Sequence, residues 1–232
     1  MENSSIIKIE NLVKKFPMGK GEFTALSGIG LTLSQGEFAG LIGPSGSGKT
    51  TLLNIIGSLD VPTSGLVKVL GQSISELNAK ESARLRKENL GFIFQSYNLL
   101  AVHTVYENVE FPLLLLGLSS GERKKIVMDA LEWVGLTNKI RSKPPQLSGG
   151  ECQRVAVARA MVKKPSIVLA DEPTANLDAA NSHNILKTME ELNRELKTSF
   201  LFATHDEKVI NYLHRKIFLL DGRIDKDEVV SN

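Results

Sequence analysis

Gly43-Pro44-Ser45-Gly46-Ser47-Gly48-Lys49-Thr50 follows the apolar stretch Glu37–Ile42 and leads into Thr51-Leu52-Leu53, the start of an apolar run suited to a helix. Small residues between a strand and a helix let backbone N–H groups close around an anion. The spacing is GxxxxGK[ST], in which Lys49 meets β- and γ-phosphate oxygens and Thr50 reaches Mg²⁺. Average composition produces this pattern by chance in roughly one chain of this size in a hundred. The residues Gly43 to Thr51 are therefore read as a nucleotide cradle rather than an ordinary Gly/Ser turn.

Outward from the cradle, short β-branched runs alternate with helical stretches, which implies an α/β fold with a largely parallel sheet. The expected core continues with a helix over 151–163, a buried strand Ser166–Ala170, a helix over 180–196 and a strand Ser199–Ala203. Ile6–Leu33 is strand-like, with turns expected at Gly19, Gly21, Gly28 and Gly30, and Leu66–Val69 adds a further strand. Together they predict a flanking antiparallel β subdomain. Between Tyr97 and Gln146 helical patterning dominates, including Gly121–Trp133, before Pro144-Pro145 breaks the chain. That stretch predicts a helical subdomain, approximately residues 97–150, within one domain spanning 1–232.

Composition narrows the class. The 232 residues are 42% hydrophobic and 23% charged, as in ordinary globular proteins, and too few for two full domains. With 28 basic and 26 acidic residues, the net charge of +2 gives no support to extended binding of nucleic acid. Cys152 is the lone cysteine, so no disulfide framework is expected and a reducing compartment fits. The apolar stretch Phe111–Leu118 is interrupted by Pro112 and Gly117 and is too short to span a bilayer. The opening residues MENSSIIKIE carry no basic start and apolar run, so the expectation is a cytoplasmic protein without a leader.

Further polar residues fall at strand ends, where open α/β sheets bind ligands. Asp171 and Glu172 close the strand Ser166–Ala170, which suits Asp171 to Mg²⁺ and Glu172 to orienting or deprotonating water. His205 follows the strand Ser199–Ala203 after Thr204 and could contact the transferred phosphoryl group. Gln95 ends the strand beginning Gly91-Phe92-Ile93-Phe94, and its amide can reach Mg²⁺ or water. A second small-residue loop, Leu147-Ser148-Gly149-Gly150-Glu151, opens a helix running through Arg154 and Arg159. One P-loop with two anion cradles implies either two different sites or a site completed across a two-fold axis by another copy.

In this order the motifs resemble the nucleotide-binding subunit of ATP-binding-cassette (ABC) transporters over essentially the whole chain. The matching pieces are the Walker A run Gly43–Thr50, Gln95 of the Q-loop, the signature Leu147–Glu151, Walker B with Asp171 and Glu172, the D-loop Ala175-Asn176-Leu177-Asp178, and His205 of the H-loop. The resemblance implies a P-loop NTPase core, adenine stacking at Phe16, two copies sandwiching two ATP with Mg²⁺, and hydrolysis that drives separate integral membrane permease subunits. Ser148, Gly149, Gly150, Glu151 and Asp178 then join the nucleotide site, and the chain sits on the cytoplasmic face of the inner or plasma membrane.

Gly57–Gly65, Leu90–Gln95 and Leu169–Asp178 are similar to the lipoprotein-releasing and macrolide-export branch, which also holds peptide exporters and a cell-division member. Cys152 and Ala175 depart from the usual pattern without removing a group the chemistry needs; Cys152 is either a reactive thiol near a helix start or a small buried one. The run Leu113–Leu116 is either a docking surface or a buried helix face. Two other classes fit the sequence less well. A nucleic-acid-handling ATPase of this superfamily would separate the P-loop from the signature by coiled coils or carry two cassettes, whereas here they lie about 100 residues apart without sustained heptads. An ATP-gated scaffold without turnover fits poorly with intact Glu172 and His205.

Overall fold

A computed structural model describes residues 5–19 and 21–230; the reading of the first four residues as lacking a leader lies outside them. The chain starts with three strands, β1 (Ser5–Met18), β2 (Gly21–Ser34) and β3 (Phe38–Ile42), and the helix α1 (Lys49–Ile56). Next come β4 (Ser64–Val69), β5 (Gln72–Ser73), α2 (Ala79–Asn89) and β6 (Leu90–Ile93), and the helices α3 (Val105–Leu115), α4 (Ser120–Trp133) and α5 (Gly149–Met161). The remainder alternates β7 (Ile167–Asp171), α6 (Ala179–Leu196), β8 (Ser199–Thr204) and α7 (Glu207–Ile210), ending in β9 (Arg215–Leu220) and β10 (Arg223–Val229).

Two sheets result. The central one has the order β10-β9-β3-β8-β7-β6, and the other β2-β1-β4-β5. Pairing from β9 through β6 is parallel, with β10 returning antiparallel, while the smaller sheet is antiparallel throughout. Continuous apolar runs make this possible, because a parallel strand is covered on both faces. In β8, Phe200 and Phe202 join one core with Val155 and Leu186, whereas Leu201 and Ala203 join another with Leu52 and the β1 residue Ile7. Helices α3 to α6 thus cover one face; α1 and the antiparallel sheet cover the other.

Helix starts follow local chemistry. Asn78, Thr104, Ser119 and Ser148 each accept a bond from the third helical N–H, and the glutamate there reaches back to the cap residue's own N–H. Buried Asn108 fixes the approach to α3, accepting from the Leu100 N–H and donating to the carbonyls of Leu100, His103 and Thr104.

Two turn assignments need correcting: Gly28 and Gly30 lie inside β2. Leu12 pairs with Ile29 and Val13 with Ser27, so Gly28 is the extra residue of a bulge, where its φ of 73° needs glycine. Helix α2 and strands β9 and β10, which the strand and helix patterns do not mark, complete the sheet edge and one wall of a surface groove.

Arg215 ties the sheets together. It donates to both Asp227 carboxylate oxygens at 2.9 and 2.7 Å, to Glu37 at 2.8 Å and to the Thr32 carbonyl at 2.8 Å. These partners hold its guanidinium well above its ordinary pKa against the opposing effect of burial. Arg215→Met strands two part-buried carboxylates, and the expected cost is about 2 kcal/mol, or about 4–8 °C in Tm. Thermal unfolding checks this; an unchanged midpoint would contradict the pinning role.

Candidate functional site

Helix α1 begins on Gly48, whose φ of 103° places it in the left-handed region and whose missing side chain supplies no cap bond. With no acidic residue in the first turn either, the opening N–H groups face outward unsatisfied by a side chain. A side chain cannot be added: a Cβ on Gly48 would stand 2.8 Å from the Ala25 carbonyl oxygen, and one on Gly43 would overlap that of Leu219. The loop therefore packs against β2 and β9 through glycine alone. Buried Lys49 turns back and donates to the Gly43 and Pro44 carbonyls at 2.8 and 3.0 Å. Ser47 is buried too, and its hydroxyl has no partner among the described residues.

A cleft of about 520 Å³ opens above this helix end, lined by Ser45, Gly46, Gly48, Lys49, Thr50, Thr51, Gln95, Asp171, Glu172 and His205, with Phe16, Phe23 and Ala25 at one side. Four strand ends meet there because β3, β8, β7 and β6 run parallel in adjacent positions. Thr50 donates to both Asp171 oxygens, at 3.2 and 3.0 Å. Burial pushes the Asp171 carboxyl up, the Thr50 bond pulls it down, and the charges of Glu172 and Lys49 act in opposite senses. One carboxylate, one hydroxyl and the nearby Gln95 form a partial shell of hard oxygen donors, the set that suits Mg²⁺ once phosphate oxygens join it.

Glu172 has a φ of 45°, unusual outside glycine. Three bonds hold it. Its N–H donates to the Ala203 carbonyl at 2.9 Å, Thr204 donates to one carboxylate oxygen at 3.1 Å, and His205 Nδ1 lies 2.6 Å from the other. Gln153, fully buried on α5, donates to the carbonyl of the following residue, Pro173, at 2.6 Å. The strained corner is thereby fixed from β8 and from α5.

The residues of the second loop are elsewhere. Ser148, Gly149, Gly150, Glu151 and Asp178 do not line this cleft. Ser148 caps α5, and its N–H donates to Glu151 at 2.8 Å, a bond that holds the Glu151 carboxyl below its usual range. Asp178 caps α6 by accepting from the Asn181 N–H and amide, each at 2.8 Å, which lowers its pKa likewise. Asn181 also fills the space beside Gly150, where a Cβ would collide with it, so the two loops share one surface.

Arg159 donates to the Tyr97 and Asn98 carbonyls at 2.7 and 2.5 Å, so it supports the loop after Gln95 rather than an anion at the head of α5. Asn176 donates to the Gln95 carbonyl at 2.9 Å from the other side. Cys152 is buried, and burial raises its thiol pKa, consistent with the packing reading. Sequence reasoning missed Phe23, Gln153 and Asn181. Phe23 had a usable signal, since a Gly19/Gly21 hairpin places it across from Phe16; Gln153 acts through a tertiary contact with Pro173, while Asn181 bonds locally to Asp178 and packs at a distance on Gly150.

The fold and the cleft define a P-loop ATP-binding enzyme. Residues 26–175 match the family model described as ABC transporter, and the chain belongs to that family. It is the ATP-binding and ATP-hydrolysing type of subunit. It is 46% identical to the lipoprotein-releasing system ATP-binding protein LolD of Pseudoalteromonas translucida, with 96% of each chain covered. It is 45% identical to the macrolide export ATP-binding/permease protein MacB of Hyphomonas neptunium, over 96% of this chain and 34% of that protein. A solved dimeric ATP-binding cassette in a post-hydrolysis state bound to ADP and Pi shares the fold at a TM-score of 0.90 and 39% identity, covering 97% of this chain and 99% of that one.

Gly48→Ala forces a Cβ into left-handed backbone beside the Ala25 carbonyl, and the expected outcome is ATP binding weakened about tenfold or more in a chain that still folds. Calorimetric titration with circular dichroism checks both halves. Undiminished affinity would remove the helix end from the site.

Proposed function

We propose that this chain binds ATP between two copies of itself and hydrolyses it to drive permease subunits that release or export lipoproteins, peptides or drugs, lipoproteins foremost. The observation that carries the mechanism is the convergence of Lys49, Thr50, Gln95, Asp171, Glu172 and His205 on the uncapped end of α1. In this reading the backbone of Gly43 to Thr51 wraps the phosphates, and Lys49 exchanges its loop carbonyls for β- and γ-oxygens. Thr50, Gln95 and Asp171 would hold Mg²⁺, which when bound would supply positive charge to neutralise the phosphates. Glu172 takes the proton of the attacking water, while His205 orients Glu172 and contacts the transferred group. Phe16 stacks the adenine.

Ser148, Gly149, Gly150, Glu151 and Asp178 serve the nucleotide of the other copy. As a cap, the Ser148 hydroxyl only accepts a bond from the Glu151 N–H, so its proton remains free for a phosphate oxygen. Dimeric solved cassettes of the same fold support this arrangement. The lipoprotein cargo rests on likeness to the lipoprotein-releasing and macrolide-export relatives.

A groove of about 480 Å³ between α2, β6, α3 and α5 supplies a place for the permease. It is lined by apolar Leu59, Phe92, Phe94, Phe111 and Leu115, with Arg86, Lys87, Arg159 and Lys163 also contributing. The alternative for Leu113–Leu116 thus divides by residue: Leu113 is buried on the core, while Leu114 and Leu115 are exposed and Leu115 faces the groove. No helix among the described residues is long and apolar enough to cross a membrane. We place the protein on the cytoplasmic face, as one ATP-binding unit in which the helical segment around residues 97–150 transmits motion.

Glu172→Gln is expected to slow hydrolysis by about 10²–10⁴-fold with ATP binding intact, and to accumulate an ATP-bound dimer measurable by light scattering. Unchanged turnover removes Glu172 from the chemistry. In the same background, affinity purification from detergent-solubilised native membranes should recover integral membrane subunits. Combined Phe111→Asp and Leu115→Asp should abolish that recovery while the isolated chain keeps its ATPase rate. Persistent recovery would move the docking site off the groove.

A further inference from the structure

We propose that the base is held by two aromatic rings rather than one, with Phe23 as a second binding residue that sets preference for a purine. The inference rests on the placement of the base beside Phe16 given above. Phe16 on β1 and Phe23 on β2 are direct cross-strand partners, so their side chains leave the same face of the antiparallel sheet. Both line the nucleotide cleft. Neither is core: Phe16 is 38% and Phe23 51% exposed, although 25 residues of this sheet and its neighbours form a well-filled apolar cluster that includes neither ring.

The platform is also supported from behind. The ammonium of Lys14 lies 4.8 Å from the centroid of the Phe16 ring, against one face, which leaves the opposite face for a ligand. Lys14 is itself held, donating to Asp60 at 2.6 Å and to the Val61 carbonyl at 2.9 Å in the segment after α1. The Phe16 ring thus has a fixed neighbour, and its orientation is coupled to the same helix whose other end would meet the phosphates. Among the described residues Phe23 has no such anchor. A flat aromatic left exposed beside a fixed one, within a cleft that has polar phosphate-binding groups at its far side, offers a second apolar surface to a planar base. Stacking scales with ring overlap, so a two-ring purine gains more from both phenyl groups than a pyrimidine does.

The test uses the intact chain and ligands that are not turned over: ADP, cytidine diphosphate and inorganic tripolyphosphate, each titrated by calorimetry. Phe23→Ala should weaken ADP about five- to tenfold, the low end for losing one base–aromatic contact, weaken cytidine diphosphate less, and leave tripolyphosphate within about twofold. Phe23→Trp should restore ADP binding, since the aromatic surface is kept. Phe16→Ala, measured in parallel, separates two kinds of failure. If it weakens ADP while Phe23→Ala does not, the second ring is not part of the site and this inference is overturned. If neither change affects ADP, the base lies elsewhere and the placement beside Phe16 falls with it. Equal losses for ADP and tripolyphosphate in Phe23→Ala would show a displaced strand and overturn the platform as well.

Discussion

An uncapped helix is the constraint around which the rest is arranged. Four helices carry a full capping box, yet α1 starts on a left-handed glycine with no side chain to satisfy its first N–H groups. Leaving donors and a positive helix end open has a cost that a protein bears where an anion repays it. The surroundings follow from that choice. Gly43 and Gly48 allow the loop to press on β9 and β2, and Lys49 is parked on loop carbonyls instead of in solvent. The adjacent parallel strands deliver Gln95, Asp171, Glu172 and His205 at the one end of the sheet that faces the open donors.

Rigidity at that end comes from contacts that have no chemistry of their own. The left-handed Glu172 would relax if released, and what holds it are the Ala203 carbonyl, the Thr204 hydroxyl and the tie from Gln153 to Pro173. The last of these starts on α5, the helix that carries the second small-residue loop at its head. A shift of α5 along its axis therefore acts on the backbone next to Glu172, and Arg159 on the same helix acts on the loop after Gln95. Helix α5 thus touches the backbone beside the nucleotide cleft and, through Arg159 and Ala160, lines the groove.

Legibility in the sequence tracked locality. The α/β pattern, the antiparallel layer, the P-loop and the strand-end polar residues could be read because each depends on neighbours within a few positions. The box residues Thr104-Val105-Tyr106-Glu107 and Ser119-Ser120-Gly121-Glu122 mark helix starts in the same way. Gly28 misled for a physical reason: a bulge and a turn both need positive φ, and only the partner strand tells them apart. Helix α2 escaped notice because its face is mostly polar, Leu85 being its one buried residue, although Asn78-Ala79-Lys80-Glu81 carried a start signal. Gln153 and Arg215 were opaque, since they bond to partners far away in the chain, and so was the packing of Asn181 on Gly150, although its bonds to Asp178 are local.

Two positive helix ends also explain why a single copy is not the functional unit in the proposed reading. The head of α1 is uncapped, the capping box at the head of α5 leaves the Gly149 and Gly150 N–H groups over, and in one chain the second head is absent from the cleft of the first. Bringing α5 of one copy over α1 of another sets like partial charges face to face, which opposes association. A triphosphate between them reverses the sign of that interaction, because each head then sees an anion. Losing the γ-phosphate removes the charge nearest the second head while leaving the first occupied. In that reading the electrostatics that bind the nucleotide would favour the closed pair before hydrolysis and weaken it afterwards, with α5, which contacts both Pro173 and the loop after Gln95, placed to carry the change toward the groove.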